Sequence, residues 1–382
     1  VTHKIPFTKF IVDGSARENV LDVLGTGKVQ GDGPYSRRSE EKLAAITGSP
    51  RVVLTSSGTD ALEMAAILAG LEPGDEVIMP SFTFVSSANA VVLRGAKPVF
   101  CDIDPTTLNL DHNRIEACIT PETKAVMPVH YAGIACEMDV IMEISTRHGL
   151  KVIEDAAHGM GAYYHGRHLG SIGHFGALSF HETKNISCGE GGALLVSDRA
   201  SFQRCEVVRD KGTNRKEFLR GEVDRYTWVD MGSSFLPGEL QAALLLSQLE
   251  IIERINGRRR QIWDFYHEGF EGLEREGFIR RPSIPAGRVH NGHIYWVLTQ
   301  DGKEREALRQ YLSAAGIQAT SHYECLHLAP VASSFSRSSP EGLPVTESAA
   351  ARILRLPLFR GLEDNEVKSV INRVNEFYRK HV

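Results

Sequence analysis

No uninterrupted apolar run in this 382-residue chain approaches the ~18 residues that cross a bilayer. The segment Val1 to Gly14 carries Lys4 and Lys9 but no apolar stretch ending in small residues. No membrane span or secretory leader is therefore expected, and the reading is a soluble, cytoplasmic chain. An excess of positive charge is missing too, with 43 Lys and Arg against 48 Asp and Glu and a formal net charge of −5. This argues against nucleic acid as a partner. Cysteine is sparse: Cys101, Cys118, Cys136, Cys188, Cys205 and Cys325 are scattered, with no C-x-x-C pair. A disulfide framework and a structural zinc are thereby set aside, no metal is expected, and reduced packing thiols are predicted. Several catalytic signatures are absent as well. There is no P-loop, no H-E-x-x-H and no G-x-S-x-G; Gly25, Gly27 and Gly31 miss G-x-G-x-x-G by one residue and do not sit between a strand and a helix.

What the chain does have is 42% hydrophobic residues, enough for a large core in about two domains. From residue 50 onward, short apolar runs alternate with helical stretches. The runs are Arg51 to Thr55, Glu76 to Pro80, Pro98 to Asp102, Ala125 to His130, Lys151 to Asp155, Ala177 to Phe180 and Ala193 to Ser197. Each is near-continuously apolar rather than alternating, so a mostly parallel sheet covered on both faces is predicted. Helices are expected at Asp60 to Ala69, Val85 to Arg94, Asp111 to Cys118 and Met138 to His148. Between Ser171 and Ser197 no helix intervenes, which predicts a meandering or mixed part of the sheet. A long helical segment, Gly238 to Glu276, broken near Gly257, reads as a bridge to a second domain. The boundaries expected are a large domain over residues 1–250 and a smaller C-terminal α+β domain over 251–382. In the latter, a strand is read at Ile294 to Gln300, helices at Lys303 to Ala315 and Glu363 to Tyr378, and a polar surface or active-site loop at Cys325 to Pro344.

Four segments near strand ends carry the chemistry, where α/β sheets gather ligands. In Thr55-Ser56-Ser57-Gly58-Thr59-Asp60, Gly58 permits close backbone approach, Thr59 offers a hydroxyl, and a helix starts with Asp60 and Glu63 spaced as a capping pair. Free amides at a helix start favour a phosphate; an ordinary capped turn is the alternative. Asp155 closes the strand Lys151 to Asp155, and a buried carboxylate needs a cation, a metal or hydrogen-bond donors. A pyridinium N–H or backbone amides would each serve. His158 reads as a catalyst or as a hydrogen-bonded wall residue. Lys184 follows the strand containing Ser179 and precedes Gly189-Glu190-Gly191-Gly192; partial desolvation would make it a Schiff-base nucleophile, solvation an ordinary surface charge. The set of anion cradle, acid and lysine, in that order, meets the needs of pyridoxal 5'-phosphate. Phe82 and Phe84 follow the next strand as candidates for a ring-facing aromatic, and either reads equally as core. His322, Cys325 and His327 lack a fourth partner for a metal.

The segments Thr55 to Leu62, Met79 to Ala90, Glu154 to Ala162, Ser179 to Leu194 and His322 to His327 resemble the DegT family of pyridoxal-phosphate-dependent sugar aminotransferases. The likeness runs over nearly the whole chain. It implies an α/β fold of PLP fold type I, built like aspartate aminotransferase. The resemblance is strongest to enzymes that aminate C4 of a dTDP-4-keto-6-deoxyhexose, which implies a dTDP-sugar substrate and L-glutamate as donor. It further implies that Lys184 is the Schiff-base lysine, that Asp155 pairs with the pyridinium nitrogen, and that Gly58, Thr59 and Ser179 bind the phosphate. Phe84 would stack on the ring, His158 would sit beside it, and Tyr323 and His327 would approach the sugar nucleotide. A homodimer with shared active sites is implied too. Ser234 stands where many members place an Asn that reaches the neighbouring subunit's cofactor phosphate, and Leu236 where they place an Arg. The alternatives are a C3 sugar aminotransferase, a PLP-dependent sugar dehydratase, in which His replaces the Schiff-base lysine, and a non-catalytic sensor on the same fold.

Overall fold

The structure, a computed structural model, describes residues 4–381. Its strands are Arg51–Thr55 (β1), Glu76–Pro80 (β2), Lys97–Cys101 (β3), Thr123–Val126 (β4), Lys151–Asp155 (β5), Tyr163–Tyr164 (β6), Arg167–His168 (β7), Phe175–Ser179 (β8), Gly192–Val196 (β9), Arg288–Val289 (β10), Tyr295–Leu298 (β11), Arg337–Ser338 (β12) and Ile353–Leu356 (β13). Eight of these form one sheet in the order β1-β9-β8-β5-β4-β2-β3-β12. Every pairing from β8 to β12 is parallel, and only β9 runs against its neighbours. The mixed character expected between Ser171 and Ser197 is this antiparallel insertion.

Apolar residues on both sheet faces explain the continuous apolar runs. Val52, Leu54, Ile78, Val99, Val126 and Val152 face one core, shared with the helices Pro34–Thr47, Met138–His148 and Glu239–Glu250. Val53, Val77, Met79, Ala125 and Ile153 face the other, shared with the helices Gly58–Leu68 and Val85–Val92. Each Val, Leu, Ile and Met among them contributes about 1.5–3 kcal/mol by leaving water, which holds the sheet between two helical layers. A further core joins Ile5 to β11, β13 and the helices Ile252–Gly269, Gly302–Ala314 and Asp364–His381.

Two expectations are corrected here. The bridging segment does not break at Gly257, which lies inside the helix Ile252–Gly269; the breaks fall at Ile251 and Phe270. Gly257 faces open space, and the buried stripe Ile255, Ile262, Trp263 and Tyr266 outweighs the ~1 kcal/mol that a helical glycine costs. The polar stretch Cys325 to Pro344 is more than a loop, because β12 extends the large sheet beside β3. Arg337 there donates to both carboxylate oxygens of Glu76, at 2.7 and 2.6 Å, so polar side chains tie down what apolar ones do not.

Candidate active site

The register of the sheet brings distant residues to one edge. Gly192 pairs with both Thr55 and Ser179, and Asp155 pairs with Ala177. The ends of β1, β5 and β8 and the start of β9 therefore share one border, with the turn after β2 beside them. A Cβ on Gly192 would lie 2.3 Å from the Ser57 carbonyl oxygen, and one on Gly58 would lie 2.8 Å from Ser179 Cβ. Both glycines are needed for that approach.

The helix begins at Gly58, two residues before the expected start. Ser57 rather than Asp60 is its cap, Ser57 Oγ accepting the Asp60 amide at 3.0 Å. The amides of Gly58 and Thr59, first in the helix, have no intrahelical acceptor. Thr59 Oγ1 shares a 2.7 Å hydrogen bond with Ser86 Oγ.

A cleft of about 430 Å³ opens over this border. Gly58, Thr59, Phe84, Asp155, His158, Ser179, Lys184 and Tyr323 all line it. Phe84 is 57% exposed, whereas Phe82 is 1% exposed and packs edge-on against Tyr131 with centroids 5.1 Å apart. This separates the cleft aromatic from the core one. Asp155, buried at the end of β5, accepts from Ser87 Oγ at 2.6 Å and from the Ala157 amide at 3.1 Å. Packing around the Lys184 ammonium lowers its pKa to about 8, although the Asp155 charge opposes the shift. Asn185 pins the adjoining backbone: its amide donates to Asn256 Oδ1 and to the Asn291 carbonyl, both at 2.9 Å.

A wall of neutral rings closes one side. His158 Nδ1 accepts the Ala132 amide at 3.3 Å, which leaves the ring proton on Nε2, 3.5 Å from the Tyr323 hydroxyl. His293 packs against His158 with centroids 4.2 Å apart and the rings tilted by 35°, and His322 bonds the Tyr131 hydroxyl through Nδ1 at 3.1 Å. Burial, followed by the Lys184 charge, holds His158 and His293 well below the ordinary imidazole range. In His322, burial acts first and Arg355 next, in the same direction.

Two expected residues do not join the cleft. His327 packs behind it, with Nδ1 2.8 Å from Ser81 Oγ and Nε2 3.2 Å from Glu347, so both ring nitrogens are engaged in anchoring the turn after Tyr323. Ser234 is exposed, and its backbone bridges to Asp210 outside this chain's cleft. Conversely, Ser87, His293, Arg259 and Arg355 carry site geometry that sequence reading did not single out. His293 and Arg355 sit in largely apolar runs, where they read as tolerated exceptions to a core pattern.

The model of the DegT/DnrJ/EryC1/StrS aminotransferase family matches residues 11–375. The chain belongs to that family. Among its relatives is the GDP-perosamine synthase of Caulobacter vibrioides, 33% identical over 370 residues and 96% of each chain. Solved members of the same shape include S. venezuelae DesV in complex with a ketimine intermediate, at 33% identity, full coverage of both chains and a TM-score of 0.89. A Streptococcus pneumoniae protein solved in its PLP-form is 27% identical over 99% of both chains, with a TM-score of 0.90. This family member is a pyridoxal-phosphate-dependent sugar aminotransferase with the fold type I architecture. Among the described residues, no helix is long and apolar enough to cross a membrane.

Proposed function

We propose that the protein moves an amino group from L-glutamate to C4 of dTDP-4-keto-6-deoxy-D-glucose, giving a dTDP-4-amino-4,6-dideoxyhexose and 2-oxoglutarate. The observation that carries this reading is the meeting of Lys184, Asp155 and the amide-rich start of the helix Gly58–Leu68 in one cleft, walled by neutral His and Tyr rings. Uncharged donors and acceptors of that kind suit a sugar's hydroxyl and keto groups.

The donor set fits pyridoxal phosphate. Gly58, Thr59 and Ser179 would hold the phosphate, and a side chain at Gly58 would fill the cradle that Ser179 borders. Asp155 would pair with the ring nitrogen and keep a proton on it. Phe84 and His158 supply ring-sized faces within the cleft. When bound, the cofactor supplies a conjugated ring that takes up the electron pair left at the amine-bearing carbon. Lys184, its pKa lowered to about 8, would take the proton from that carbon as base and give it as acid to the cofactor carbon bonded to the same nitrogen, and would move it in the opposite sense for the keto sugar. Tyr323 and the Nε2–H of His158 orient the sugar, and His327 serves by holding the turn that presents Tyr323.

We further propose a homodimer in the cytoplasm. Exposed Phe218, Leu219, Tyr226, Trp228 and Met231 precede Ser234 within one segment of the chain, and Trp228 is 77% exposed. Such a patch supports burial against a second copy, which would bring Ser234 to the neighbouring cofactor phosphate.

The test is product analysis by NMR after incubation with L-glutamate, pyridoxal phosphate and the dTDP-linked keto sugar. A parallel arm uses the GDP-linked keto sugar, because the GDP-perosamine synthase relative is named for a GDP-linked product. An amine at C4 of the dTDP sugar, lost in Lys184→Ala, is the expected result. Amination at C3, or only of the GDP sugar, overturns the corresponding part of the assignment.

A further inference from the structure

His293 lies between β10 and β11 and lines the cleft with Lys184. Its ring is held by the residue that follows that lysine, Asn185 Oδ1 lying 2.8 Å from His293 Nδ1. The Asn185 amide has only one orientation, because its nitrogen donates to Asn256 Oδ1 and to a main-chain carbonyl, that of Asn291. Oδ1 is therefore the acceptor, and the ring proton of His293 sits on Nδ1. Asn291 closes the network, donating to the His158 and Met160 carbonyls at 2.8 and 3.0 Å and accepting the His293 amide at 3.1 Å. Asn256 donates to the Met160 carbonyl at 3.1 Å. All four side chains are buried, so a satisfied polar network drawn from three chain segments fixes one tautomer beside the lysine.

A neutral imidazole with its proton on Nδ1 presents a lone pair at Nε2. Among the described residues nothing donates to that atom and nothing accepts from the Lys184 amine, although both side chains line the cleft. His158 is the opposite case, since its Nδ1 accepts the Ala132 amide and its proton sits on Nε2. Burial acts first on His293 and the Lys184 charge next, ahead of Arg259, His322 and Arg355, and all of them keep the ring neutral. His293 is thus an acceptor that does not itself take up a proton. Asp155 attracts the same ammonium, but its two oxygens already accept from Ser87 and Ala157. A carboxylate contact would also hold the proton on the lysine, whereas a neutral acceptor orients an N–H and leaves it free to depart.

We propose that His293 is a positioning residue for the proton transfer: its Nε2 accepts a hydrogen bond from the Lys184 ammonium and so aims the proton that the lysine carries. The inference rests on the aminotransferase reading above, in which Lys184 is the proton carrier. An ammonium has three N–H donors, and anchoring one on Nε2 fixes where the others point. No bond to His293 forms or breaks. The proton leaves the α-carbon of the donor, stays on the lysine nitrogen and is delivered from there.

The experiment has two arms. In the first, the cofactor-free protein carries ¹⁵N-labelled histidine rings, and the His293 signals are identified by their loss in H293Q. They should show a neutral ring protonated on Nδ1. The Nε2 signal should move with a midpoint near pH 8, as Lys184 ionises, and stay fixed in K184M. Of the groups around the ring, His158 and His322 stay neutral and Arg259 and Arg355 charged over this range, which leaves Lys184 as the one that titrates. A proton on Nε2, or a signal indifferent to Lys184, overturns the inference. The second arm follows cofactor absorbance of the holoenzyme in single turnovers with L-glutamate. H293F, which keeps a ring and loses the acceptor, should slow the step sensitive to deuterium at the glutamate α-carbon about tenfold or more. The half-saturating glutamate concentration should stay within about twofold, as expected when only the transition state loses a contact. H293Q, with a donor and an acceptor on one side chain, should recover part of the rate. A wild-type rate in H293F, a change confined to half-saturation, or H293Q no faster than H293F overturns the inference. If H293F does not fold or hold the cofactor, the ring signals of the wild type and K184M decide. Those signals need neither cofactor nor substrate, so a wild-type enzyme that forms no C4 amino sugar while His293 responds to Lys184 removes the acceptor assignment and supports the His293 contact.

Discussion

Ser87 donates its hydroxyl to Asp155 Oδ2 across 2.6 Å, from the first turn of the helix that follows Phe84. Thr83 Oγ1 lies 2.8 Å from the same hydroxyl, so a short polar chain runs from the turn after β2 to the carboxylate that ends β5. Both Ser87 and Thr83 are buried. The contact orients Asp155 so that its remaining acceptor capacity faces the cleft. Ser87→Ala should lower stability by about 1–3 kcal/mol in urea unfolding, because a buried carboxylate loses a donor. It should also slow turnover about tenfold, equivalent to 1.4 kcal/mol of misorientation. Turnover unaffected by the change would remove Ser87 from a positioning role.

Gly58 tolerates no side chain beside Ser179. Gly58→Ala should push the start of the helix away from β8 and weaken pyridoxal phosphate binding at least about tenfold, in keeping with loss of one or more amide contacts to a phosphate. An absorbance titration of the cofactor-free protein measures this directly. Wild-type affinity in the variant would argue that the phosphate sits elsewhere.

The two phenylalanines of the turn after β2 should separate cleanly. Phe82→Ala removes a core ring and should cost about 3–5 kcal/mol of stability. Phe84→Ala, at an exposed ring, should leave stability within about 1 kcal/mol while reducing turnover and cofactor affinity. Calorimetry alongside kinetics checks both, and the reverse pattern would exchange their assignments.

Lys184 links the site to pH. Its pKa of about 8 in the folded, cofactor-free protein lies below the ordinary 10.5, so the unfolded chain binds more protons between those values and stability rises with pH across that window. Below pH 8 the full penalty of a buried ammonium is present. Lys184→Met should therefore stabilise the cofactor-free protein at pH 7, by ~1–3 kcal/mol, with the gain shrinking toward pH 10. Paired urea titrations at the two pH values test the sign. A variant less stable than wild type at pH 7 would contradict the assigned desolvation.

Much of the central sheet was legible beforehand. The runs at β1, β2 and β5 and the helix Met138–His148 coincide with their expected bounds, because continuous apolar runs between glycine and proline joints leave few other structures. The helices Gly14–Thr26 and Pro34–Thr47 were not read, their polar faces obscuring the stripe that packs on the helix Glu239–Glu250. Two-residue strands such as β12 offer too little pattern to detect. In the site, Lys184, Asp155 and Gly58 stood out because each is chemically conspicuous at a strand end, whereas Ser87 looks like any helical serine.

The sequence by itself determined which segments become buried strands and where a lysine, an acid and an amide-rich turn follow them, because periodicity and residue type act locally. Only the tertiary structure decided that Phe84 and not Phe82 faces the cleft, that His327 turns to Ser81 and Glu347, and that Arg355 reaches Lys184's neighbourhood from 171 residues away along the chain. The physical reason is that burial is non-directional: it specifies that a side chain leaves water, while strand order and register specify which other side chains it meets.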